Sequence, residues 1–243
     1  MQIDDWLSGW VFTSPTSNEV VVTSVFERKL LQGTTTGTGL LEIADLTQFA
    51  KFGLNDLVRT KSGVIFVDSV NFDWGKTDLV KAPSSPLIRV DTDGNASLAS
   101  AKTMFTNGMV ITPDGKKLIV ADTLLFRLHQ WALSRDGILS DHQIFATTPG
   151  SMPDGICLDI DGGVWITAGC GGVFRVLKGG MVTDKVEMMS TGATACMLGG
   201  EDGRTLLITA SDSSDREIIH KNPSGRLFTV RVNVPGAGMP SWY

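Results

Sequence analysis

One pattern governs what this chain can fold into: a turn dipeptide followed by a β-rich run, met five times. The copies read Ser17-Asn18 then EVVVTS, Ser62-Gly63 then VIFVDS, Asp114-Gly115 then KKLIVAD, Asp161-Gly162 then GVWITA, and Asp202-Gly203 then RTLLITA. From Asn18 the second turn residue advances by 45, 52, 47 and 41 positions, to Gly63, Gly115, Gly162 and Gly203. A period of about 40–50 residues holding several short strands marks the blades of a β-propeller. Within each unit an inner strand runs up to the turn and the β-rich run returns as its hairpin partner. An outer strand follows, such as Leu87–Val90, Leu128–Trp131, Val173–Val176 or Leu227–Val230. Apolar and polar residues tend to alternate along these, as in strands packed between neighbouring sheets. The chain lacks helical periodicity of any length, and Leu46 to Phe52 admits one short helical turn. With no linker or charge run to divide it, residues 1–243 are expected to form a single all-β propeller domain with about five visible blades.

Composition narrows the partners. The 243 residues carry 21 basic and 26 acidic side chains, a formal charge of −5, without a Lys/Arg block. That balance speaks against nucleic acid or an anionic membrane as partner. No apolar run approaches the ~20 residues of a membrane span, and the N-terminus has no secretory pattern, so the expected location is the cytoplasm. Three cysteines, Cys157, Cys170 and Cys196, are too few and too odd for a disulfide framework. The histidines (His129, His142, His220) have no metal-ligand spacing, and structural or surface roles are expected for them.

The site comes from arithmetic on the repeat. Eight positions before the turn glycines 63, 115 and 162 stand Asn55, Asn107 and Asp154; the same offset gives Ala195 from Gly203 and Trp10 from Asn18. In a propeller, equal offsets mean equal heights on the innermost strands, so three blades aim an amide, an amide and a carboxylate at one level of the central channel. Oxygen donors of this kind suit Ca²⁺, Mg²⁺, Mn²⁺ or Zn²⁺. Asn107-Gly108 and Asp154-Gly155 are also turn dipeptides, and Asx residues close turns on their own backbone; the shared register is what favours a site. One connection is long: NFDWGKTDLVKAPSS, between Ser69 and Pro86, carries Phe72 and Trp74 and is expected to cap one face of the ring and touch substrate.

The segments NDLVRTKSGVIFVDS, FTNGMVITPDGKKLIVADT, MPDGICLDIDGGVWITA, ACMLGGEDGRTLLITA and GRLFTVRVNVPGAGMP resemble the gluconolactonase, regucalcin (senescence marker protein) and luciferin-regenerating-enzyme-like family. The resemblance runs from Asn55 to Pro240 and more weakly over residues 10–54. It implies a six-bladed propeller of the lactonase type, one divalent metal ion in its channel, and hydrolysis of a small lactone or ester. It implies Asn55 as a metal or substrate ligand, Asn107 as a metal ligand, and Asp154 as metal ligand and catalytic general base. The family's fourth ligand, a Glu in an opening E-x-P-x-W motif, has no counterpart here. The chain aligns from inside the family's second blade, and Gly53 stands where many sugar lactonases carry a basic residue. A propeller that binds without catalysing is the alternative this departure raises, and a truncated chain is a third reading.

Overall fold

The computed structural model describes residues 5–14, 16–36, 39–100, 103–148, 150–169, 171–188, 192–213 and 216–238. Cys170 lies outside them. Among the described residues, nineteen strands assemble into five antiparallel sheets, a five-blade propeller arrangement. The first blade comprises β1 (Leu7–Phe12), β2 (Glu19–Ser24), β3 (Lys29–Thr34) and β4 (Leu41–Asp45). The second holds β5 (Leu57–Arg59), β6 (Ile65–Val67), β7 (Leu87–Val90) and β8 (Ala96–Ser100). The third holds β9 (Thr106–Ile111), β10 (Lys117–Asp122), β11 (Arg127–Leu133) and β12 (Leu139–Thr147). The fourth holds β13 (Ile156–Leu158), β14 (Val164–Thr167), β15 (Val173–Val176) and β16 (Val182–Val186). The fifth has three strands: β17 (Gly192–Gly199), β18 (Thr205–Ser211) and β19 (Arg226–Arg231). The only helix among the described residues is α1 (Arg216–Lys221), besides a 3-10 turn at Leu79–Lys81; the stretch from Leu46 forms hydrogen-bonded turns. No helix among the described residues is long and apolar enough to cross a membrane.

Each blade is a meander of sequentially neighbouring strands, joined mostly by short turns; the exceptions are the long β6–β7 connection and the β18–β19 connection that carries α1. Gly63, Gly115, Gly162 and Gly203, the turn glycines of the repeat, all adopt positive φ between 69° and 98°, a region L side chains avoid. The period-2 alternation then sends successive side chains to opposite neighbouring blades. In β10, Leu118 and Val120 pack with Val58, Phe66 and Leu87 of the second blade, whereas Ile119 and Ala121 pack with Ile156, Val164 and Ile166 of the fourth. Similar layers join the first blade to the second through Val21, Leu30, Ile65 and Ile88, and the fourth to the fifth through Trp165, Val173, Leu206 and Ile208. Each fully buried Leu, Ile or Phe in these layers contributes roughly 1.5–3 kcal/mol. The other face of the first blade carries a smaller cluster of Val20, Val22 and Leu31 with Phe12 and Leu40. Trp10 beside it is 57 % exposed, and Thr194 and Ala195 of β17 are exposed as well.

The long connection between β6 and β7 is tied down at its base. Ser69 Oγ donates to Pro86 O at 2.6 Å and Asn71 Nδ2 to Ser84 O at 3.1 Å. It leaves β6 at the end of the sheet where Asp68 Oδ1 accepts the Asn55 N–H, so it stands on the face of the ring that carries the residues of the repeat offset.

Candidate functional site

The innermost strands β1, β5, β9, β13 and β17 are successive neighbours around the axis. Three inter-strand bonds fix a common level: Gly9 N donates to Asn55 O at 2.8 Å, Gly108 N to Asp154 O at 3.2 Å, and Gly155 N to Thr194 O at 3.0 Å. Such close approach needs glycine. A Cβ on Gly108 would lie 2.5 Å from Ile156 N, and one on Gly155 would lie 2.6 Å from Ala195 Cα.

These bonds correct the offset at both ends of the chain. Ser8 and Thr194, not Trp10 and Ala195, share the level of Asn55, Asn107 and Asp154. The cause is local: β1 has a bulge between Leu7 and Trp10, and β17 has one between Ala193 and Ala195. The third blade bulges at Asn107-Gly108 as well, where two residues of β9 oppose one of β10. A bulge adds a residue without adding height, so in β1 and β17 a count of eight back from the turn falls short of the level, by two residues and by one.

At this level a run of side chains crosses the blades. Ser8 Oγ donates to Asn55 Oδ1 at 2.8 Å and Asn55 Nδ2 donates to Asn107 Oδ1 at 2.9 Å, and the Asn107 side chain lies close enough to the Asp154 carboxylate to favour its charged form. Asn107 is buried and also approaches Thr123 Oγ1 at 3.5 Å; Thr123 in turn donates to Pro153 O at 2.7 Å. Asn55, Asn107 and Asp154 are thus brought together. Asp154 keeps part of its surface open while protein surrounds most of it. That burial, with the charge of Asp56 added, pushes its carboxyl up to about 7 against the hydrogen bond from Asn107.

Asp56 and Asp68 are functional candidates that sequence reasoning passed over. Burial raises Asp56 to about 6, opposed by the Leu57 N–H. Burial and then the charge of Asp56 hold Asp68 well above the usual carboxylate range. Asp68 Oδ1 accepts the N–H groups of Asn55 (2.7 Å) and Asp56 (3.0 Å), fixing both residues at the head of β5. Among the described residues no Lys, Arg or His pairs with Asp56, Asp68 or Asp154. The available signal was the Asn55-Asp56 dipeptide, which puts an acid where β9 and β13 put glycine.

The fit to a divalent cation follows from this imbalance. Carboxylates without a protein cation, beside two carboxamides whose oxygens each retain a lone pair, form an all-oxygen donor set. Among the described residues no group of three or more His, Cys, Asp or Glu side chains is placed to hold a metal, so a cation here depends on the amides.

Phe72 and Trp74 build an aromatic wall rather than acting as separate contacts. Phe72 is buried; Trp74, 43 % exposed, lies 4.9 Å centroid to centroid from Phe105, which is itself 5.4 Å from Phe72. Phe105 precedes Asn107 by two residues, so the wall adjoins the polar run.

The histidines stand in structural and surface positions, as expected. His129 is buried, with Nε2 at 3.2 Å from Asp122 Oδ2 and Nδ1 at 2.8 Å from His142 Nε2, and Trp131 stacks on both rings. The chain Asp122–His129–His142 crosses β10, β11 and β12 inside the third blade. His220 is exposed on α1. Cys157 and Cys196 are buried free thiols with Sγ atoms 3.7 Å apart between β13 and β17.

Known proteins align with this architecture. The family model for the SMP-30/Gluconolactonase/LRE-like region matches residues 5–212. A 6-deoxy-6-sulfogluconolactonase of Pseudomonas putida is 35 % identical over 160 residues, covering 63 % of this chain and 55 % of its own. Pentonolactonase XacC of Haloferax volcanii is 23 % identical over 198 residues, covering 77 % and 65 %. The chain therefore spans between about half and two thirds of the length of these relatives. A luciferin-regenerating enzyme structure superposes with a TM-score of 0.82 at 18 % identity, over 99 % of this chain and 83 % of that one. The calcium-binding protein regucalcin of Agrobacterium tumefaciens gives 0.78 at 21 %, over 100 % and 81 %.

Proposed function

The chain belongs to the SMP-30/Gluconolactonase/LRE-like family, and from that membership and the channel geometry we propose that it hydrolyses a small lactone, of a sugar acid or a related acid, at the head of its inner strands. The observation that carries this reading is the hydrogen-bonded run Ser8–Asn55–Asn107 with Asp154 at the same level on the next strand, which assembles polar groups from four blades beside an aromatic wall. Lactonases among the relatives supply the substrate class: they include a 6-deoxy-6-sulfogluconolactonase, a pentonolactonase, an L-arabinolactonase and a gluconolactonase.

In this reading Asn55, Asn107 and Asp154 hold one divalent cation, Ca²⁺ or Zn²⁺ with Mg²⁺ and Mn²⁺ as alternatives. When bound, the cation supplies Lewis-acid polarisation of the lactone carbonyl. Asp154 orients the attacking water and takes its proton, the role of a positioned carboxylate general base. The same proton returns to the ring oxygen as the acyl bond breaks, so lactone and water give the hydroxy acid. The amide of Asn55 positions the substrate oxygens, and Trp74 with Phe72 covers the apolar face of the ring. The second reading is a propeller that binds such ligands without turning them over.

A panel of aldonolactones, assayed by acid release with and without EDTA, tests the proposal. The expected result is hydrolysis that EDTA removes and Asp154→Asn abolishes. Binding of a lactone by the folded protein without turnover would establish the second reading instead.

A further inference from the structure

The polar run has a direction, and one end sets it. A backbone carbonyl accepts hydrogen bonds and never donates. The Thr123 hydroxyl reaches Pro153 O at 2.7 Å, so its one hydrogen lies there. Its oxygen then has only lone pairs to offer Asn107 Nδ2, 3.5 Å away. With Nδ2 turned to Thr123, Asn107 Oδ1 faces the second blade and accepts from Asn55 Nδ2 at 2.9 Å. Asn55 Oδ1 is thereby turned to the first blade, where Ser8 Oγ donates to it at 2.8 Å. From Ser8 to Pro153 every donor points the same way round the ring. A carboxamide keeps its outline when O and N exchange places, so shape alone does not choose this orientation. The fixed acceptor at the end does.

Thr123 is placed to act on two blades. It directly follows β10, is buried, and gives its N–H to Phe105 O at 2.9 Å. The carbonyl it binds and the Asp154 N–H belong to one peptide group, and that N–H goes to Thr167 O at 2.8 Å. The peptide carrying Asp154 is therefore gripped at its oxygen by the third blade and at its nitrogen by the fourth. Thr23 and Thr167, on the second strands of the first and fourth blades, use their hydroxyls on backbone carbonyls, Asn55 O at 2.7 Å and Thr194 O at 3.1 Å among them. In the third blade that place is Ala121, since Val120 opposes Met109 as Ile166 opposes Ile156. There the hydroxyl comes two residues later, within reach of a side chain of the run.

We propose that Thr123 is a positioning residue of the channel reaction. Its hydroxyl orients the carboxamide of Asn107 and, through it, that of Asn55, and with the same group it fixes the peptide that carries Asp154. The inference rests on the lactonase reading given under Proposed function and adds to it a residue that acts through its neighbours.

Lactone kinetics and urea unfolding of the full chain provide the test. Thr123→Val removes the hydroxyl and keeps the branched shape; Thr123→Ser keeps the hydroxyl and loses a methyl group. Thr123→Val should lower kcat about 10- to 100-fold, the usual cost of losing a group that orients functional side chains, and Thr123→Ser should recover most of it. A role confined to packing would reverse that order, because valine fills the buried site and serine does not. The second readout needs no turnover. Changes in unfolding free energy for Thr123→Val, Asn107→Ala and the double variant should be non-additive. So should those for Thr123→Val with Asn55→Ala, a pair joined through Asn107. Additive changes in both cycles, or wild-type kcat in Thr123→Val, overturn the proposal and leave the lactonase reading standing. A wild type that hydrolyses no lactone of the panel overturns that reading; non-additive changes then uphold the orienting bonds, and additive ones overturn them as well.

Discussion

Asn55 Nδ2 donates to Asn107 Oδ1 across 2.9 Å although 52 positions separate the two residues in the chain. The contact exists because β5 and β9 are neighbouring inner strands and the two amides stand at one height on them. It turns a numerical coincidence of the repeat into a physical bond, and it passes on to Asp154 through the second amide.

Removing the middle member should therefore be felt on both sides. Asn107→Ala leaves Asn55 Nδ2 without its acceptor and removes the amide that lies beside Asp154 and Thr123. A loss of about 1–3 kcal/mol in denaturant unfolding is expected for such a buried group. An unchanged unfolding midpoint would mean that the run carries no stability.

Asp154→Asn separates chemistry from stability. Lactone turnover should fall by roughly 10²- to 10⁴-fold, the usual reach of a general base, with a smaller change in KM. The metal-free fold should be no weaker, because the substitution removes a carboxyl that burial already disfavours in its charged form. Continuous pH-stat kinetics and a thermal melt read the two effects independently.

The glycine at the closest strand approach should not tolerate a methyl group. Gly108→Ala places Cβ 2.5 Å from Ile156 N and 2.8 Å from Asp154 O, both backbone atoms that cannot step aside. Destabilisation of about 2 kcal/mol or more is expected. Gly199→Ala, in β17 with nothing within 4 Å of its added Cβ, is the control and should be near neutral by the same chemical denaturation measurement.

Trp74→Ala should act on substrate rather than on the fold. The ring is 43 % exposed and rests on Phe105, so truncation removes surface that a sugar ring would cover. A several-fold rise in KM with little change in kcat is the expected pattern of lost uniform binding. Equal kinetics would remove the loop from the site.

Asp122 gives a pH dependence whose sign is fixed. Burial pushes its carboxyl up, but hydrogen bonds from His129 and from Met104 and Phe105 N–H outweigh this and hold it below the ordinary value of 3.8. A depressed folded pKa contributes stability that is present above 3.8 and lost as the pH falls through the folded value. Unfolding free energy measured below about pH 5 should therefore fall less steeply in Asp122→Asn than in wild type, as proton linkage requires. Identical acid limbs would show that Asp122 is not ionised in the fold.

Much of this molecule is legible in one dimension. Hairpin turns at Gly63, Gly115, Gly162 and Gly203, the strands after them, and the level of Asn55, Asn107 and Asp154 follow from local rules, because turn chemistry and strand alternation act over a few residues. The long connection with Phe72 and Trp74 announces itself by interrupting the period. Bulges defeat the same counting: Ser8 and Thr194 take the places that arithmetic gives to Trp10 and Ala195, since an extra residue in a strand changes sequence distance but not height. Asp56 is marked only by standing where β9 and β13 have glycine, and nothing in the spacing announces the chemistry of Asp68 or of the Asp122–His129–His142 chain. Their character comes from which charges face each other across blades and how far water is kept away, and those quantities exist only once the sheets have packed.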